Sequence, residues 1–544
     1  MTDQRNAFTK QPRVRGNDWH KLMPAVLGAW HPTQTVSVVI PAYQAHQTLP
    51  FSLAALAAQT YPSHLLEVVV VDDGSTPRLE LPELRPENTR IVSTRDTWGR
   101  AHACHTGAMS SDGEVLHWLD SDMLPYVDQI EAQLRWHHLI DHAVVLGDKL
   151  FVDVEDGYPD LEDTLDKLRE GKGDDLFPDR WTSSHDWVDE YIDRTDGLVL
   201  NPTKSYLVHV GASASVRREV YLDAGGMDTS LKLGEDVELG YRLAQQGAVF
   251  IPDYEARSWH LGRSTLMQQS DDVNRYNRPY VTDRISDLRH WRTRARSYTV
   301  PWVEIVVDAR GRGYDEVRHS VNGALRSGAA DVVVSLLGEW SLVDDDRRAT
   351  LSHPDRNLKA LRAEFQGEPR IHFVEEIAAS AFPAANRLRL PVGWSPGRGT
   401  IRRLAVEMAR RDRGLVSLLL PDGQVARLER TSAFRRAARL AGPSENLDDV
   451  VDHVSGTWWY DAPEEGFNHV SSVPDRDFSA TPRAGWVRGD PRTRSLGAKT
   501  RRAVVHNHVG HPSEPAADAA EPRDASPLRA RLRSALGRFR QRQG

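Results

Sequence analysis

The sequence predicts an α/β protein whose first half winds around a buried parallel sheet and whose second half repeats the pattern. Three observations predict it. A β-branched run at 36–40 is followed by a helical stretch and a second apolar run at 68–71, the order of a right-handed strand–helix–strand unit. That run and a third at 115–119 both stop at carboxylates, as "VVVVDDGST" and "VLHWLDSDM". From Val303 the opening pattern returns as "VEIVVDARGRGYDEVRHSVNGALRSGAADVVVSLLGEWS".

Each element follows from local chemistry. Val36, Val38, Val39 and Ile40 make a strand that ends at Pro41 and a polar turn. Pro50 suits the start of a helix; Leu49, Leu53 and Leu56 recur at helical spacing, and Tyr61-Pro62 closes it. The run from Val68 to Val71 is apolar throughout, as in a strand covered on both faces. A helix over 100–110, a turn at Ser111-Asp112-Gly113 and a strand over 115–119 follow. Residues 151–197 are acidic and lack periodicity. Gly225-Gly226 interrupt the pattern, and Gly234-Glu235-Asp236 begin a helix with an apolar face of Val237, Tyr241 and Ala244. A short apolar strand then leads to Trp259-His260.

With 544 residues, 40% of them hydrophobic, the chain has room for two or three cores. No window approaches the ~18 apolar residues of a membrane span, and the first thirty residues lack a signal-peptide layout, so a cytoplasmic protein is expected. The single cysteine, Cys104, allows no internal disulfide and no cysteine-based zinc site. The net charge of −8 conceals a basic end, with 14 Lys/Arg against 5 Asp/Glu over 481–544. The acidic remainder argues against a protein built to grip nucleic acid.

Ligands of such sheets bind beyond the carboxyl ends of the strands. There stand Pro41-Ala42-Tyr43, Asp72-Asp73-Gly74-Ser75 and Asp120-Ser121-Asp122. Two aspartates at i and i+2 either form a solvated turn or face one hard cation, Mg²⁺ or Mn²⁺, which prefers oxygen ligands and phosphates. The Asp72-Asp73 pair either shapes a turn or accepts the imide N–H of a uracil, and Arg100 is a candidate phosphate partner. Glu235 and Asp236 either complement a helix dipole or take a proton from a hydroxyl. His260 is a candidate third metal ligand.

In this order, "VSVVIPAYQ", "VVVVDDGS", "LDSDM", "SVRREVYLDAGGMD" and "GEDVELGYRLAQQG" resemble the family 2 glycosyltransferases of the GT-A fold, a Rossmann-like nucleotide-diphospho-sugar transferase fold, over about residues 34–265. The "GED…WH" pairing is similar to galactosyl- and N-acetylgalactosaminyl-transferases of that fold. The resemblance implies that Pro41 and Tyr43 shape a nucleoside pocket, with Asp72 and Asp73 on the base side and Arg100 and Asp120 also at the nucleotide sugar. It makes Asp122 the main metal ligand with Asp120 and His260 beside it, Asp236 the base and Glu235 the residue that orients the acceptor. The implied reaction is an inverting, Mn²⁺- or Mg²⁺-dependent transfer from a nucleotide sugar, UDP-sugar favoured, to a hydroxyl of a cell-envelope glycan or glycolipid precursor. A sugar nucleotidyltransferase and a catalytically inactive sugar-binding scaffold are the alternatives. Cys104-His105-Thr106-Gly107 departs from the family's Arg-Asn pair before a glycine. The Q-x-x-R-W string of processive synthases is absent; Arg289-His290-Trp291 comes nearest.

The expected domains are an N-terminal extension at 1–33, the GT-A domain at 34–298, a degenerate GT-A-like domain at 299–475, a disordered linker at 476–527 and a basic amphipathic helix at 528–544. In the second domain Leu336-Leu337-Gly338 is expected in place of Asp72-Asp73-Gly74, and Leu420-Pro421-Asp422 in place of Asp120-Ser121-Asp122. Residues 151–197 are placed to cover the acceptor. Leu528, Leu532, Ala535, Leu536 and Phe539 share one helical face opposite six arginines, which suits peripheral contact of Leu528–Gly544 with an anionic membrane.

Overall fold

The structure, a computed structural model, describes residues 11–94, 97–289, 297–328, 331–343 and 352–472. The expected linker at 476–527 and the basic helix at 528–544 lie outside these residues, as does His290-Trp291. Both sheets belong to one compact unit, Met1–Val470.

The first sheet comprises β1 (Val36–Ala42), β2 (Leu66–Asp72), β3 (Thr89–Ser93), β4 (Val115–Leu119), β5 (Met123–Pro125), β6 (Ala143–Val152), β7 (Thr182–Ser184), β8 (Ser213–Arg217) and β9 (Val249–Leu261). Its order is β3-β2-β1-β4-β8-β6-β9-β5, with β7 beside β6. β1, β2, β3 and β4 are parallel, β8 is antiparallel to β4 and β6, and β6 runs parallel to β9. Successive side chains of a strand point to opposite faces, and both faces here are covered. Val36, Val38 and Ile40 pack with Leu49, Leu53 and Leu56 of helix Leu49–Ala57. Val39, Val69 and Val71 pack with Ala103, Cys104 and Ala108 of helix Arg100–Ser110 on the other side. That is why the strands read as unbroken apolar runs.

Two local expectations change. Helix Glu235–Gln245 buries Leu239, Tyr241 and Leu243, while Val237 and Ala244 stand at the margin of that core. Its inward face is rotated because Gly240 lies against His209, where a Cβ would come within 2.7 Å of the His209 Cβ. Residues 151–197 contain two nine-residue helices, Leu161–Arg169 and Asp186–Arg194, each burying only two large apolar side chains, too few to register as a period.

The second sheet repeats the plan with β10 (Val303–Asp308), β11 (Val332–Leu337), β12 (Ile371–Val374), β13 (Asn386–Arg389), β14 (Trp394–Pro396), β15 (Leu415–Leu419), β16 (Val425–Arg430), β17 (Thr457–Asp461) and β18 (Phe467–His469). Its order is β12-β11-β10-β13-β16-β15-β17, with β14 and β18 paired apart. Every sense is kept: β16 is antiparallel to β13 and β15, and β15 is parallel to β17. Val303 partners Val332 and Asn386 as Val36 partners Leu66 and Val115. Counted from there, Pro391, Val392 and Gly393 stand for Asp120, Ser121 and Asp122. Leu420-Pro421-Asp422 is instead the turn between β15 and β16, so the expected correspondence there is wrong: one apolar run ending in an acid was matched to another without the strand order to decide. By the same count Gly338-Glu339, two residues later than expected, replaces Asp72-Asp73. Among the described residues no helix is long and apolar enough to cross a membrane.

Candidate functional site

β2, β1 and β4 are neighbours, so the polar segments after them share one edge of the sheet. The Tyr43 ring stands 64% exposed there, beyond Pro41 at the end of β1. Asp72 is buried, and its carboxylate accepts the backbone N–H of Ser75 at 2.9 Å and of Leu79 at 3.3 Å. Its oxygens hold the loop rather than face the edge. Asp73 accepts from the Thr94 hydroxyl at 3.0 Å and the Gly99 N–H at 2.7 Å, tying the β2 loop to the start of helix Arg100–Ser110.

Arg100, read from the sequence as a phosphate partner, is engaged by two carboxylates. Its guanidinium donates to Asp120 Oδ1 at 2.8 and 3.1 Å and to Glu235 Oε1 at 3.0 Å, joining the β4 loop to helix Glu235–Gln245. Gly234 opens that helix with a φ of +77°, a left-handed conformation that suits a residue without a Cβ. Burial and the adjacent Asp236 push the Glu235 carboxyl above its usual range, against the pull of Arg100. Asp236 accepts the Gly211 N–H at 3.4 Å, while its backbone carbonyl takes a bond from His209 Nδ1 at 2.7 Å.

Asp122 and His260 meet through a strand pairing. β5 follows Asp122 immediately and runs antiparallel to β9, with Met123 opposite His260. His260 Nδ1 lies 3.0 Å from the Gly262 carbonyl, which can only accept, so Nδ1 carries the proton and Nε2 presents a lone pair. That nitrogen is 3.6 Å from Asp122 Oδ1, beyond hydrogen-bonding distance. Asp122 Oδ1 is buried without any partner, and burial helps push this carboxyl above its usual range, with Asp120 adding to it and His260 opposing. One ligand atom each from Asp120, Asp122 and His260 can be chosen so that all lie within 4.8 Å of one another. An orphaned carboxylate oxygen facing an imidazole lone pair is a donor set that fits a divalent cation.

Two residues escaped the sequence reading. Lys149, near the carboxyl end of β6, is buried, its Nζ 3.2 Å from the Gly147 carbonyl. Burial lowers the pKa of its ammonium, while Asp148, Asp189, Asp120 and Asp236 pull the other way, so it shares the field of the site acids. The break of the apolar run "AVVL" into Gly147-Asp148-Lys149 was the available signal. His185, in the segment 151–197, packs edge-on against Phe151 at 5.4 Å, and the same Phe151 ring lies 4.7 Å from His260. Burial and the nearby Lys149 and His260 hold its imidazole down to about 3. At the unusual "CHTG" string, Cys104 is core and His105 bonds the Tyr221 hydroxyl at 2.8 Å, so both serve packing.

Residues 37–219 match the model of "Glycosyl transferase family 2". Residues 37–219 thus carry a domain of that family. The likeness extends to several curated proteins. It is 26% identical over 284 residues to an uncharacterized glycosyltransferase of Bacillus subtilis strain 168, covering 46% of this chain and 71% of that one. It is 23% identical over 365 residues to a chondroitin synthase of Escherichia coli, 63% of this chain and 50% of the synthase. With a hyaluronan synthase of Pasteurella multocida it shares 23% over 397 residues, 68% of this chain and 38% of that one. The chain thus spans half or less of the two synthases. Among solved structures, a mannosyltransferase from Pyrobaculum calidifontis in complex with GDP-Man and Mn²⁺ is 18% identical, covering 51% of this chain and 70% of that one with a TM-score of 0.32, too low to bear on the site.

Proposed function

We propose that this family 2 glycosyltransferase is an inverting, metal-dependent enzyme that moves a sugar from a nucleotide sugar, UDP-sugar favoured, to a hydroxyl of a cell-envelope glycan or glycolipid precursor. The observation that carries the reading is the partnerless Asp122 Oδ1 beside the His260 Nε2 lone pair. In it Asp122 and His260, with Asp120, hold Mn²⁺ or Mg²⁺, and the bound cation supplies charge neutralisation for the departing diphosphate. Tyr43 and Pro41 flank the nucleoside, and Asp73 reaches its base. Arg100 positions Asp120 and Glu235 rather than gripping phosphate itself. Asp236 accepts the proton of the acceptor hydroxyl, whose oxygen attacks the anomeric carbon while the bond to the diphosphate breaks with its electron pair. Glu235 orients the acceptor, and Lys149 and His185 line its approach. The second sheet braces the first: at its counterpart of the Asp122 position stands Gly393, and the paired His469 lies against Trp394 at 4.8 Å.

Calorimetric titration of a panel of nucleotide sugars, with and without Mn²⁺, into the wild type and Asp122→Ala tests this. One donor should bind only with metal, and the mutant should lose that binding. Equal binding by the mutant, or none by either protein, would leave a sugar-binding scaffold as the better reading.

A further inference from the structure

In the first sheet, Val145 of β6 and Ile251 of β9 face each other across the ladder and are roofed by the N-terminal segment: Val14, Trp19 and Leu22 complete a cluster with them and with Trp136. The Asn17 side chain fastens that roof, donating to the Phe250 carbonyl at 2.7 Å and accepting the Phe250 N–H at 2.8 Å. The same place exists in the second sheet. Counted through the pairings with β16, Val416 and Trp458 are the counterparts of Val145 and Ile251, since Val416 opposes Leu428 and Val145 opposes Ser215 at equivalent rungs. There Val416 is buried beneath helix Thr400–Arg410 and Trp458 is half-buried. A groove of about 570 Å³ remains between helix Thr400–Arg410 and the edge strand β17.

Its chemistry is particular. Trp458 and Tyr460, two residues apart on β17, turn their rings to one face with centroids 5.8 Å apart, and Arg413 lies over the Trp458 ring at 4.9 Å. Arg402, Arg403, Glu407 and Glu465 form the rim. Arg403 pairs with Glu465, whereas Arg402 has no ion-pair partner among the described residues. A peptide that buried apolar side chains here would strip water from these charges without replacing it. A sugar ring carries both surfaces at once: a C–H face that lies on an aromatic ring, and equatorial hydroxyls that accept from guanidinium and donate to carboxylate.

We propose that this groove binds a glycan, a stretch of the acceptor remote from the bond being made. The acceptor assignment rests on the function proposed above; glycan binding by the groove does not. The full chain is titrated with maltohexaose, an N-acetylglucosamine hexasaccharide and a galacturonate hexasaccharide, following heat and Trp fluorescence. At least one should bind, with affinity about tenfold weaker in Trp458→Leu, which keeps apolar volume in the floor, and measurably weaker in Arg402→Ala. Asp122→Ala should bind the same oligosaccharide as the wild type. Absence of binding by all three probes, wild-type affinity in both groove variants, or loss of binding in Asp122→Ala would overturn the proposal. So would capture of a peptide of residues 11–24, which contains Trp19, in the groove while the glycans fail. If donor binding fails and groove binding persists, the function is misread and the groove is not.

Discussion

Asp72 and Asp122 both border buried strands of the first sheet, yet their carboxylates are spent differently. Both Asp72 oxygens accept backbone N–H groups of the following loop, whereas Asp122 keeps an oxygen with no partner next to an imidazole lone pair. A buried acceptor left unpaired is costly unless something else pairs with it, which is the reason to expect a cation there. Asp236 offers a sharper test of chemistry apart from binding. Asp236→Asn keeps the size of the side chain and an oxygen toward Gly211 but removes the basic carboxylate. The turnover number should fall by about 10²–10⁴ with donor affinity within about twofold. Steady-state kinetics and donor titration on the same preparation check it; an equal fall in affinity would assign Asp236 to binding.

Helix Arg100–Ser110 depends on one glycine for its seat on the sheet. A Cβ at Gly107 would come within 2.3 Å of Val39 Cγ1 and 2.9 Å of Val71 Cγ2, both fully buried. Gly107→Ala therefore forces the helix off β1 and β2, costing about 1–3 kcal/mol and moving Arg100 from Asp120. A lower melting temperature together with weaker metal-dependent binding is the expected result. β4 carries a second element-level consequence, because His117 is fully buried between a carbonyl of β8 and Gln129. Burial holds its imidazole down to about 4. The unfolded chain takes up this proton near pH ~6.5 and the fold does not until about 4, so stability drops as pH falls through that window. Melting temperatures at pH 7.5 and 5 should differ less for His117→Gln than for the wild type.

Across the molecule, one side chain does much to hold the two sheets together. Arg436, on helix Thr431–Leu440 of the second half, is buried and donates to the carbonyls of Val14, Gly16, Gly247 and Ala248. Removing it leaves four buried acceptors without their donor. Arg436→Ala should cost roughly 3–5 kcal/mol and split a single calorimetric transition into two, one for each sheet. A single transition at the wild-type temperature would mean that the halves are coupled elsewhere.

The sequence by itself determined whatever depends on near neighbours along the chain. Helix Arg100–Ser110 and strand Val115–Leu119 have the bounds that their apolar spacing predicts, and the acids lie where apolar runs end, because a buried strand cannot continue through unpaired charge. It also carried the repeat, since the second sheet is wound in the same order as the first. What only the tertiary structure decided is which oxygen is left over. Asp72 and Asp73 are adjacent and chemically identical, and only the folded loops distinguish one that caps a turn from one that ties a loop to a helix. Arg100 holds Asp120 and also reaches Glu235 across a sequence separation of 135 residues, and Lys149 and His185 enter the site from segments with no motif. Leu420-Pro421-Asp422 was misplaced for the same reason: runs of similar composition are told apart by strand register, and register is a property of the partner strand.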